Sequence, residues 1–103
     1  MKKLVVTAVL LGLTSTAIAE DRFADIREAW VTCAACHGAQ GQGGIGPQLA
    51  GQSADDIIAK LIAYKKGEVV GPRSVMMWPT AQSLTDGQIG TIGVFVQENF
   101  PNQ

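Results

Sequence analysis

Residues 33–38 read CAACHG, so both cysteines of this 103-residue chain and its one histidine fall within five consecutive positions. Three chemistries use such residues: a zinc clip, a redox dithiol, and the covalent tether of a haem. A structural zinc site is closed by four ligands, and Cys33, Cys36 and His37 supply only three. Cys36 and His37 are also adjacent, and adjacent helical side chains point about 100° apart, which makes it hard for all three to converge on one small ion. A reactive C-x-x-C dithiol usually opens a helix, where the N-terminus lowers the first thiol's pKa. Here the motif ends a helical pattern, with no β-α-β surroundings. Haem attachment employs all three residues together: Cys33 and Cys36, one helical turn apart, can add to two vinyl groups on one porphyrin edge while His37 reaches the iron.

Working outward, the pattern before the motif predicts a helix over about residues 21–36. Phe23, Ile26, Ala29, Trp30 and Cys33 form its apolar stripe, and Asp25, Arg27 and Glu28 its solvated side. Residues 38–51 contain six glycines and Pro47 and read as an ordered loop anchored by Ile45, Pro47 and Leu49. Ser53 caps a helix carrying Ile57, Ile58, Leu61, Ile62 and Tyr64, which stops at Gly67. Residues 69–83 hold Gly71, Pro72, Pro79 and the run VMMWPT, and read as a second long irregular segment. Thr85 and Gln88 make a capping box for a last helix with Ile89, Ile92, Phe95 and Val96 on one face. Gly90 and Gly93 weaken that helix, and each calls for a packing reason. No alternating run of β-branched residues suggests a sheet, so the chain reads as one all-α domain.

The N-terminal stretch reads as an export signal. Lys2 and Lys3 precede the apolar run Leu4 to Leu13, and Ala17-Ile18-Ala19 has a small-x-small cleavage pattern. The division is therefore a cleavable signal peptide over 1–19 and one domain over 20–103. An uncleaved membrane anchor is the alternative, although Leu4 to Ala19 is only 16 residues and includes Thr14-Ser15-Thr16. Cleavage removes Lys2 and Lys3 and leaves six basic against nine acidic residues. No basic stripe remains, so nucleic acid is not an expected partner. So small a domain has a marginal hydrophobic core, and a bound group would complete it.

With these motifs in order, the chain resembles the class I c-type cytochromes of the small bacterial single-haem type. The resemblance covers residues 21–100: a helix into CAACHG, the GPQLAGQ loop, a helix ending YKKG, the VMM segment and the final LTDGQIGTIGVFV helix. It implies an all-α cytochrome c fold, a few helices wrapped around one covalent haem c, with the first and last helices crossing. Cys33 and Cys36 then carry the thioethers and His37 is the proximal ligand. The resemblance assigns the second axial position to Met77, with Met76 the alternative; the competing role for either methionine is to fill core space. It makes the Pro47 carbonyl the acceptor of the histidine's other ring N–H, and puts Leu49, Leu61, Tyr64, Ile92 and Phe95 along or behind the haem. Trp30 and Phe95 match the aromatic positions of the helix crossing, and Gly93 a position of close approach. The sequence departs from the family in Trp78-Pro79 after the methionines and Val70-Gly71-Pro72 before them. It also lacks the lysine ring of mitochondrial relatives, so partners do not transfer.

The expected function is one-electron transfer in the periplasm, between donor and acceptor proteins, by a monomer or a subunit of a redox complex rather than by an enzyme in its own right. Two other classes share the motif: a haem subunit of an oxidoreductase, for example one oxidising a sulfur compound, and a haem-based ligand sensor.

Overall fold

In the computed structural model, which describes Lys3 and residues 21–102, the chain enters its first helix through a tight turn. Asp21–Ile26 is a 3-10 segment, and the α-helix proper, α1, runs Arg27–His37. The sequence pattern places one continuous helix over 21–36; the structure tightens its first turns and carries its end one residue further. Ile26 stands at the N-cap with no side-chain oxygen to satisfy the first amides. Contacts made elsewhere hold the 3-10 turn instead. Ile26 is buried, the Phe23 ring packs edge-on to Phe95 at 5.1 Å between centroids, and Arg22 pairs with Glu98 at 2.7 Å.

α1 ends where Gly38 takes φ 91°, a left-handed conformation that suits glycine. The glycine loop then folds back over the helix end. Gly46 N–H donates to the Cys36 carbonyl at 2.8 Å and Gly43 N–H to the His37 carbonyl at 2.7 Å, satisfying acceptors that the helix leaves open. α2 spans Ala54–Lys65, capped by the Ser53 hydroxyl, which accepts from Asp56 N–H at 3.1 Å.

The largest departure from the sequence reading lies in residues 69–83. This segment is not irregular throughout: α3 occupies Ser74–Gln82, with Met76, Met77 and Pro79 inside it. Pro79 lacks the N–H that would bond to the Val75 carbonyl, but Val75 is exposed, so water can satisfy that acceptor. Tertiary contacts override the weak local signal. Ala81 is fully buried in the core, and the Trp78 indole N–H donates to the Glu68 carbonyl at 3.0 Å.

The last helix, α4, spans Asp86–Asn99 and carries the expected capping box. Gln88 N–H donates to Thr85 Oγ1 at 3.1 Å and Thr85 N–H to Gln88 Oε1 at 3.0 Å. α4 lies along α2, and Gly93 is the reason it lies so close. A Cβ there would stand 2.7 Å from Ile58 Cγ1 and 2.9 Å from the Ala54 carbonyl oxygen. The close approach expected at Gly93 is thus made with α2. Gly90 has no such role, since a Cβ there meets nothing within 4 Å.

The two ends of the domain cross through aromatic rings. Phe95 makes edge contacts with Trp30 at 5.0 Å and Phe100 at 5.7 Å, and Phe100 stacks on Trp30 at 5.5 Å. Ile26, Ile57, Leu61, Ala81, Leu84, Ile89, Ile92 and Val96 form the core beneath. The fold is all-α, with no strand among the described residues. None of the described helices is long and apolar enough to cross a membrane, and the expected signal peptide, Lys3 apart, lies outside the described residues.

Candidate functional site

Helix α1 delivers its last turn into a cleft of about 390 Å³. One wall consists of Thr32, Cys33, Cys36 and His37 from α1 with Ile45, Gly46 and Pro47 from the glycine loop. The other consists of Tyr64, the turn Gly71 to Ser74, and Met76, Met77 and Thr80 of α3.

His37 is only 6% exposed, and its ring is held from two directions. Its Nδ1–H donates to the Pro47 carbonyl at 2.7 Å; because a carbonyl can only accept, this bond puts the proton on Nδ1 and leaves the Nε2 lone pair for a metal. Gly46 lies flat against the ring, where a Cβ would come within 2.7 Å of Cε1 and 2.9 Å of Nδ1. Glycine is required here by lack of space, not by backbone conformation. A single helix turn and the loop folded back on it thus orient the imidazole before any ligand arrives.

Cys33 and Cys36 are free thiols, half-buried in the same wall. Burial pushes the Cys33 thiol up from its ordinary pKa, and a hydrogen bond to the sulfur from its own backbone amide opposes this only in part. A redox dithiol needs the reverse, a thiolate stabilised at a helix N-terminus. These cysteines lie in the last two turns of α1, where the helix dipole disfavours negative charge. Among the described residues no three His, Cys, Asp or Glu side chains are grouped to hold a metal ion. The donor set suits haem: two thiols one turn apart, an imidazole with Nε2 open, and thioethers in the facing wall.

Of the two methionines, Met77 is partly buried and packs against the core, whereas Met76 is 62% exposed, although both line the cleft. Pro47 and Tyr64 are in the cleft wall. Leu49, Leu61, Ile92 and Phe95, which the resemblance puts along or behind the haem, are not in the wall. Leu61 and Ile92 are buried core, Leu49 packs against that core, and Phe95 belongs to the aromatic crossing. The helical stripes that carry Leu61, Ile92 and Phe95 face the interior between helices, and the cleft opens at the helix ends and loops.

Several lining residues have no role in the sequence reading: Thr32, Gly46, Arg73, Ser74 and Thr80. For three of them a signal exists once α3 is known. Arg73, Met77 and Thr80, with Ser74 beside them, follow the helical spacing of three and four along one face. Without α3 that period cannot be drawn.

Comparison with known proteins agrees with this donor set. The family model for cytochrome c matches residues 23–99. Cytochrome c-554(548) of Halomonas halodenitrificans is 42% identical over 66 residues, spanning 62% of this chain and 80% of its own length. Cytochrome c-554(547) of Halothiobacillus neapolitanus is 34% identical over 74 residues, spanning 63% and 81%. Cytochrome c-553 of Nitratidesulfovibrio vulgaris is 24% identical over 101 residues, spanning 95% and 99%. The match runs from the turn before α1 to the end of α4 and takes in the whole cleft. The chain belongs to the cytochrome c family: it is a small class I c-type cytochrome with a covalently attached haem c.

Proposed function

We propose that this cytochrome is an extracytoplasmic one-electron carrier whose haem is tethered by Cys33 and Cys36 and ligated by His37 and Met77. The observation that carries the proposal is the His37 bond to Pro47, which frees Nε2 into a cleft whose facing wall holds Met77. Bound haem supplies the Fe(III)/Fe(II) couple. The chain's own residues set the conditions for that couple. Pro47 fixes the tautomer and orientation of the imidazole through the Nδ1 hydrogen bond, and Gly46 leaves the ring the space a side chain would take. Met77 offers a soft thioether that favours the reduced state. Leu61 and Ile92 belong to the buried apolar core against which Met77 packs.

The location follows from the signal-peptide reading of residues 1–19, which places the mature protein in the periplasm. A haem subunit of an oxidoreductase complex would share this site and differ only in its partner. Val69, Val70 and Val75, exposed next to the cleft-lining residues, favour contact with another protein in either setting. The deciding experiment is intact mass of the purified protein expressed with haem-attachment machinery, together with cell fractionation. The expected result is a chain lacking residues 1–19, carrying one haem, in the periplasmic fraction. An unmodified chain would overturn the tether, and a full-length membrane-bound one the location.

A further inference from the structure

The two walls of the cleft meet at a polar contact that no motif accounts for. Arg73 Nη1 donates to the Ile45 carbonyl at 2.9 Å, joining segments 28 positions apart in sequence. Ile45 directly precedes Gly46 and Pro47, the two residues that hold the His37 ring. Arg73 directly precedes α3 and lies four residues before Met77, on the same helical face. The contact therefore links the support of one axial position to the support of the other.

Arg73 is itself exposed, but the turn on which it stands is tied down by a buried hydroxyl. Ser74, 3% exposed, accepts from Val70 N–H at 2.7 Å and Gly71 N–H at 2.8 Å through its hydroxyl, and donates to the Gly71 carbonyl at 2.8 Å. These three bonds fix the turn leading into α3, so displacement of α3 away from α1 is passed directly to the Arg73 side chain. Among the described residues lining the cleft, Arg73 alone carries a fixed charge. A guanidinium donating to a carbonyl makes a charge-assisted bond, stronger than a neutral one.

We infer that Arg73 is a positioning residue, a latch that closes the methionine wall onto the histidine wall and controls how readily the sixth ligand leaves the iron. This rests on the His37 and Met77 ligation proposed above. Met77 can move out of the cleft only if α3 swings or its side chain turns, and the first of these breaks the latch.

The test is imidazole titration of the ferric holoprotein, following loss of the methionine-to-iron charge-transfer band. In that exchange the bond from methionine sulfur is replaced by one from imidazole nitrogen, with no change in oxidation state. The variants are Arg73→Met, which keeps the aliphatic stem and removes the donors, Arg73→Lys, which keeps a charged donor, and Arg22→Met, which breaks an ion pair with Glu98 outside the cleft. Before imidazole is added, all should show the band. Arg73→Met should bind imidazole about tenfold more tightly than wild type, equivalent to about 1.4 kcal/mol, with Arg73→Lys between them and Arg22→Met unchanged. With the band present in wild type, an affinity for Arg73→Met within about twofold of wild type refutes the latch, since so small a ratio is well under 1 kcal/mol. An equal loss in the free energy of global unfolding, read by far-UV circular dichroism, also refutes it, because the residue would then be merely structural. A wild-type protein without the band would overturn Met77 ligation itself, and the latch with it.

Discussion

The two walls of the cleft are built in opposite ways. The histidine wall is made of local backbone. Cys36 and His37 are sequence neighbours, and the loop six to ten residues on donates hydrogen bonds to both their carbonyls and accepts one from the imidazole itself. The methionine wall leans on side-chain hydrogen bonds to backbone, of which one, from Arg73 to the Ile45 carbonyl, reaches across the fold. α3 has no side-chain N-cap, contains Pro79, and depends on Ser74, on the Trp78 indole and on Arg73. The lesson is one of hierarchy: the His37 ring is placed by backbone close to it along the chain, and Met77 is placed by a helix whose long-range polar tie to the facing wall is Arg73. With the ligation proposed above, the sixth position should open before the fifth under denaturing stress.

The largest expected effect tests the histidine wall directly. His37→Ala should abolish recovery of holoprotein, read as haem absorbance per mole of chain, because no other histidine exists. Normal haem loading in that variant would show that the wall's geometry is not needed for assembly. Next in size is Gly46→Ala. The added methyl meets the His37 ring at 2.7 Å, and the ring cannot yield without losing its bond to Pro47. Overpacking of this kind costs about 1–3 kcal/mol, visible as a lower denaturant midpoint of the holoprotein. An unchanged midpoint would mean that the ring is free to shift, and the contrast between the walls would weaken.

How much of this contrast was legible follows the same division. CAACHG, the capping box at Thr85 and the cap at Ser53 are local signals, since the atoms that make the structure are within a few residues of each other, and each turned up as a helix end in the structure. α3 was not legible. Pro79 and the turn residues Gly71 and Pro72 argue against a helix locally, and what favours one, burial of Ala81 and the reach of Trp78 to Glu68, is set by the rest of the fold. Arg73 stayed hidden for that reason. The helical stripes identified Leu61 and Ile92 as interior but could not say which interior, core or cleft. Gly93 was recognisable as a site of close approach, yet its neighbour α2 was set by packing that no local pattern encodes.

A smaller effect sharpens the comparison from the other side. Trp78→Phe removes the indole donor to the Glu68 carbonyl while keeping an aromatic ring, at a cost of about 1 kcal/mol. Imidazole affinity should rise while haem loading stays at the wild-type level. If loading fell instead, the methionine wall would be part of assembly and not only of ligand retention. The smallest effect is expected away from both walls. In the Arg22 and Glu98 pair the two side chains are 52% and 44% exposed, so Arg22→Met should cost well under about 1 kcal/mol after solvent screening and leave the haem spectrum unchanged.

The central claim is that Met77, not Met76, faces His37. The most direct measurement is the ferric absorption spectrum of Met77→Ala and Met76→Ala, each purified with covalent haem and compared in the methionine-to-iron charge-transfer region. Loss of the band in Met77→Ala and its retention in Met76→Ala is the expected result. Retention in Met77→Ala with loss in Met76→Ala would contradict the account and move the sixth ligand to the exposed methionine.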